Sequence, residues 1–157
     1  MKQIIARSIP LLAGAIVSLS VLAQTGPGSA NTAAGKIQET GRWITESGNL
    51  EVEIAPCGQA LCGTVVKVIA NNSMSAPGTA MTPADTRSPL GMKILKDFTP
   101  SGDGEWKGRI YNRESGETYD CVMALLAPDQ LKVRGYKGLP LFGKTQVWSR
   151  VPGQAAQ

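Results

Sequence analysis

The chain has 157 residues, with Lys+Arg 16 against Asp+Glu 12, no His, three Cys, 18 Gly and 10 Pro; that is the size of one domain and too short for a two-domain cofactor enzyme. The missing histidine removes imidazole triads, His-containing zinc sites and any Cys–His couple. An apolar share of 42% beside 18% charged residues is too hydrophobic for a disordered chain.

Residues 1–23 read as a secretory signal peptide. Lys2 and Arg7 form the positive start, residues 9–22 the apolar run, and Val21-Leu22-Ala23 the small side chains before cleavage. An uncleaved anchor is the alternative, but a bilayer span needs ~20 apolar residues, and this run is shorter and ends at polar Gln24. No Cys follows to carry a lipid. The expected location is therefore periplasmic or secreted, without membrane insertion after cleavage. Loss of Lys2 and Arg7 lowers the formal net charge from +4 to +2, which makes no overall electrostatic case for nucleic acid or an anionic membrane. Residues 24–40 lack apolar periodicity and are expected to be a flexible leader; 41–151 form the domain, and 152–157 a tail.

From Gly41 a period of two takes over. Leu50, Val52 and Ile54 alternate with Glu51 and Glu53, the signature of a half-buried strand. Ser47-Gly48-Asn49 makes a hairpin of 42–46 and 50–55. Residues 61–70 are rich in β-branched side chains and give a third strand. Residues 71–89 carry no periodicity and form a loop long enough to imply function or mobility. A fourth strand spans 92–98, followed by the turn cluster Thr99-Pro100-Ser101-Gly102-Asp103-Gly104. Strands are then expected at 105–112, 118–126, 131–136 and 142–151. Eight short strands joined by tight turns, with no sustained helical repeat, predict an all-β, eight-stranded up-and-down antiparallel barrel. Closure would also remove the unpaired edges of an open sheet.

Two groups of residues carry a resemblance. Gly41-Arg42-Trp43 at the start of the first strand, with Arg150 at the end of the last, is similar to the lipocalin arrangement, in which an indole closes the barrel floor under an arginine. Taken alone, Gly-x-Trp is a weak signal, and a Trp that starts a strand is more often a plain core residue. The broader resemblance is to a bacterial family of small exported proteins, domain of unknown function 2147. It rests on Cys57-Gly58, Leu61-Cys62-Gly63, the run Ser88-Pro89-Leu90-Gly91-Met92-Lys93-Ile94-Leu95, Trp106-Lys107-Gly108-Arg109-Ile110-Tyr111, and Ser115-Gly116-Glu117-Thr118-Tyr119. Val133-Arg134-Gly135-Tyr136-Lys137-Gly138, Leu141-Phe142-Gly143 and Trp148-Ser149-Arg150-Val151 complete it. The resemblance implies an exported, lipocalin-like barrel. Asn112-Arg113 departs from the Asp-Pro usual in the family, which removes the expected rigid turn there.

Cys57 and Cys62 flank a short turn between adjacent strands, where Cα atoms fall in the ~4.4–6.8 Å range of a disulfide. An oxidising compartment favours that pairing, against a redox dithiol or a metal site. Cys121 shares an alternating face with Tyr119, Met123 and Leu125 and reads as a small buried hydrophobe, since no imidazole could activate it. Glu51 and Glu53 are most simply the solvated side of their strand. Neither these acids nor Glu105, Glu117 and Asp120 form a spacing that forces two carboxylates into one pocket. No catalysis, cofactor or metal is expected.

The final strand speaks most directly to ligands. Phe142, Lys144, Gln146, Trp148 and Arg150 share one face, and Gly143, Thr145, Val147, Ser149 and Val151 the other. If the first set points inward with Trp43, the interior has an apolar floor under polar, basic groups suited to an anionic or amide-bearing ligand. The opposite phase would bury Val147 and Val151 and leave the charges in water. Tyr136 and Arg134 pose the same question on the neighbouring strand. The expected ligand-binding set is Trp43, Tyr136, Lys144, Gln146, Trp148 and Arg150, in an exported barrel holding a small, partly apolar ligand. The alternatives are a filled barrel serving as an envelope structural module, which offers the 71–89 loop to a protein partner, and a small hydrolase. No nucleic-acid partner is expected.

Overall fold

The computed structural model describes residues 37–154. The expected signal peptide, most of the expected leader and the last three residues of the expected tail lie outside them. Eight antiparallel strands follow in chain order: β1 (Gly41–Ile44), β2 (Leu50–Cys57), β3 (Ala60–Val68), β4 (Lys93–Gly102), β5 (Glu105–Asn112), β6 (Glu117–Ala127), β7 (Gln130–Tyr136) and β8 (Lys144–Arg150). Each pairs with the next, and β8 returns to β1 through Trp43 opposite Arg150 and Ile44 opposite Ser149, which closes the barrel. Among the described residues the only helical piece is a 3-10 turn at Pro140–Phe142.

Alternation puts the apolar residues inside. On β2, Val52 and Ile54 are buried while Glu51 and Glu53 face outward. Trp43, Leu61, Val65, Leu95, Phe98, Met123, Leu131, Val133 and Trp148 complete the core with Cys121. Each fully buried large apolar side chain contributes ~1.5–3 kcal/mol. Glu51 is not the solvated residue expected from its pattern. It is nearly covered, because Arg42 across the pair reaches it at 3.3 Å and Glu53 at 3.4 Å.

Two expected boundaries change. The turn cluster at 99–104 shrinks to Asp103-Gly104, since β4 continues to Gly102, with Thr99 opposite Lys107 and Pro100 opposite Trp106. A bulge with Asp97 at φ 60° lets the strand bend and go on, and Asp103 and Gly104, both at positive φ, make the tight hairpin turn. The last strand begins at Lys144 rather than 142, because Phe142 belongs to the 3-10 turn and is exposed.

All even-numbered connections lie at one end of the barrel, together with the termini of the described segment. The connections after β1, β3, β5 and β7 lie at the other end, the mouth.

Candidate functional site

The floor is built first. Trp43 is fully buried, and the Arg150 guanidinium lies 4.0 Å from its ring centroid, a cation–π contact. Arg150 also donates to the carbonyls of Gln38 (2.6 Å), Pro128 (2.7 Å) and Thr40 (2.8 Å). The indole N–H of Trp43 donates to the Glu39 carbonyl at 2.9 Å. Residues 37–40, read from sequence as leader, are thus stitched under the barrel. Burial pushes the Arg150 pKa down from its ordinary value, but a guanidinium remains charged in proteins. Trp43 and Arg150 therefore seal the floor, and neither lines the cavity above it.

That cavity has a volume of ≈ 490 Å³, within the range of small-molecule sites. Its apolar lining comes from Leu50, Met92, Ile94, Ile110, Val133 and Trp148. Lys144, Gln146 and Trp148 all face it, which settles the phase of β8 in favour of the polar set. The Trp148 indole donates to Gln146 Oε1 at 2.9 Å, and Lys144 Nζ donates to the Met74 carbonyl at 3.0 Å. Among the described residues no carboxylate forms an ion pair with Lys144. Tyr136 is a correction. On β7 the inward positions are Leu131, Val133 and Gly135, so Tyr136 and Arg134 fall on the outer face, away from the cavity.

The 71–89 segment lies across the mouth. Asn49, in the β1–β2 turn, exchanges two 2.7 Å hydrogen bonds with the Asn72 backbone. Glu114, in the β5–β6 turn, accepts from the hydroxyls of Ser73 (2.5 Å) and Ser75 (2.6 Å) and from the Met74 amide (3.0 Å). The two serine hydroxyls lead in holding its carboxyl at about 2. Further along, the Asp85 carboxylate receives Arg87 at 2.6 Å and the Tyr111 hydroxyl at 2.7 Å. Those bonds, Arg87 first, hold Asp85 well below the usual carboxylate range, and the hydrogen bond to the Asp85 carboxylate pushes Tyr111 up. Met74 and Met81 of this segment line the cavity. The loop is a lid fastened at several points.

Sequence reading missed Asn49, Tyr111 and Glu114, which it took as turn or strand-end residues. Tyr119 also lines the cavity, and its place on the Cys121–Met123 face was the signal that could have found it.

The remaining reactive groups are occupied. Cys57 and Cys62 form a disulfide with Cα atoms 5.8 Å apart. Cys121 is buried, and burial pushes its thiol up to about 12, far from a reactive thiolate. Among the described residues no group of three or more His, Cys, Asp or Glu is placed to hold a metal ion.

Comparisons with known proteins agree with this architecture. Residues 41–150 match the model of a family described as "Uncharacterized protein conserved in bacteria (DUF2147)". A solved structure, described as "Protein HP1028 from the human pathogen Helicobacter pylori belongs to the lipocalin family", superposes with a TM-score of 0.57 at 20% identity, over 73% of this chain and 83% of that one. At that identity the likeness is one of fold. No curated protein matches the sequence.

Proposed function

We propose that this chain, which belongs to the DUF2147 family of bacterial proteins, is an exported lipocalin-like barrel that binds one small, partly apolar ligand with an anionic or hydrogen-bonding end. The observation that carries the reading is the lidded ≈ 490 Å³ cavity, whose apolar wall rises to Lys144 and Gln146. An apolar body would replace water against Ile94, Ile110, Val133 and Trp148, and the end group would meet Lys144, which forms no ion pair among the described residues. Export is supported by the N-terminal pattern and by the disulfide. No helix among the described residues is long and apolar enough to cross a membrane.

Binding rather than catalysis is favoured because the reactive side chains are engaged in structure. Cys121 is a buried thiol, Glu51 and Glu53 face Arg42, and Glu114 holds the lid. Ser73, Ser75 and Asp85 of the 71–89 segment bond to Glu114 and Tyr111 of the barrel, which fits a lid better than a surface presented to an envelope protein.

The test is a titration of tryptophan fluorescence with decanoate and with decanol. Decanoate should produce a saturable 1:1 change, because Trp148 lines the cavity. Lys144→Met should weaken decanoate by about tenfold or more, the worth of one hydrogen bond to a charged group, and leave decanol nearly unchanged. No saturable response to either compound would overturn the reading.

A further inference from the structure

The connection from β7 to β8 presents three large apolar side chains to water at the mouth. Leu139, Leu141 and Phe142 are 63%, 79% and 78% exposed, more than any other large hydrophobic side chain among the described residues, with Leu90 next at 59%. The segment is held firmly. The 3-10 turn closes through Phe142 N–H to Leu139 C=O at 3.1 Å and Gly143 N–H to Pro140 C=O at 3.0 Å. Arg134 spends its guanidinium on the same turn, donating to Pro140 C=O (2.9 Å), Leu141 C=O (3.1 Å) and the Thr145 hydroxyl (2.6 Å). A Cβ at Gly143 would stand 2.7 Å from the Gly135 carbonyl and 2.9 Å from Tyr136 Cβ, so the turn sits directly on β7 and only glycine permits it. Hydrogen bonds thus fix the backbone of this tip, while among the described residues its three apolar side chains stay largely uncovered.

Charge points to what covers them. The stretch from Arg134 to Thr145 contains Arg134, Lys137 and Lys144 and no acidic residue; Lys137 is paired with Glu117 at 2.7 Å, so Arg134 and Lys144 carry the net positive charge beside the tip. The net charge of the whole chain makes no case for a membrane, but this local pattern of apolar tip and cationic flanks does, because bilayer binding sums buried apolar area with attraction to anionic headgroups. The tip also adjoins the cavity entrance, since Lys144 lines the cavity two residues after Phe142.

We propose that Leu139, Leu141 and Phe142 form a preorganised docking tip for an anionic lipid surface, which sets the cavity mouth against the bilayer. This goes beyond ligand binding, since the tip residues do not line the cavity and docking needs no occupant inside.

The experiment is flotation of the purified chain with vesicles of phosphatidylglycerol and phosphatidylcholine, and with phosphatidylcholine alone, at low and high salt. The wild-type chain is expected to float with the anionic vesicles, less so at high salt, and weakly with phosphatidylcholine. The double variant L141S/F142S should lose about tenfold or more of the partitioning. Its thermal midpoint and decanoate titration should stay as in wild type, so failure here and failure of the ligand reading are told apart. Absence of flotation with anionic vesicles, equal flotation of the double variant, or equal binding to phosphatidylcholine at all salt concentrations would overturn the proposal. So would a concentration-dependent dimer abolished in the variant without vesicle binding, which would make a second copy the occupant.

Discussion

Replacing Glu114 by Gln should loosen the lid while the barrel stays intact. The carboxylate accepts three hydrogen bonds from consecutive lid residues, Ser73, Met74 and Ser75. A hydrogen bond to a charged group is worth ~1.5–3 kcal/mol and a neutral one ~0.5–1.5, so neutralising the acceptor costs roughly 1 kcal/mol per bond. The Gln amide also sets an N–H₂ group against one of the three donors. Partial exposure to solvent reduces the total, leaving about 2 kcal/mol, or about a 30-fold rise in the lid-opening constant. Native-state hydrogen exchange reads this at the Met74 amide, which donates directly to Glu114. Amides of β6 should not change, because the Asn49–Asn72 and Asp85–Tyr111 anchors and the barrel ladder remain. The pH dependence has a definite sign. The folded carboxyl lies at about 2 against an ordinary 4.5, so the latch is fully present above 4.5 and is lost as pH falls toward 2. Glu114→Gln should lack that window. Met74 protection in the variant within about twofold of wild type would refute the latch.

Arg150→Ala should destabilise the fold by about 2–4 kcal/mol in urea denaturation, from three donated hydrogen bonds and the contact over Trp43. Arg150→Lys should recover less than half of that loss, since one ammonium cannot span three carbonyls in the guanidinium fork, and decanoate affinity should be unchanged in both because the floor does not line the cavity. Cys121 should resist iodoacetamide at pH 8 in the folded protein and react on unfolding. With its folded pKa raised from 9.0 to about 12, its contribution to stability is complete below 9 and fades as pH rises toward 12, and Cys121→Ala should remove that part of the alkaline loss.

The barrel was legible because one wet and one dry face impose a period of two, as Leu50–Ile54 and Leu131–Val133 show directly. The end of β4 was not, since Pro100, Ser101 and Gly102 carry turn chemistry and only the bulge at Asp97 lets the strand absorb them. The phase of β8 was ambiguous because either face could serve as core. It is fixed by Trp148, whose large ring is buried while its N–H reaches Gln146. On β7 the inward place beside Val133 falls to Gly135, which offers no apolar signal, so Tyr136 looked as eligible as its neighbour. The loop was legible as a loop but not as a lid. Its anchors, Asn49 and Glu114, lie 23 and 40 residues from their partners, and nothing local in sequence distinguishes them from ordinary turn residues.

The methionines offer the most direct test of the binding cavity. Met74, Met81 and Met92 line it, whereas Met123 is buried in the core below. In a carbon–proton spectrum of the methyl-labelled chain, stepwise addition of decanoate should move the resonances of the three lining methyls along one saturable 1:1 curve and leave Met123 nearly still. Uniform small drifts of all the methyls, or no movement at saturating decanoate, would contradict a ligand seated inside the barrel.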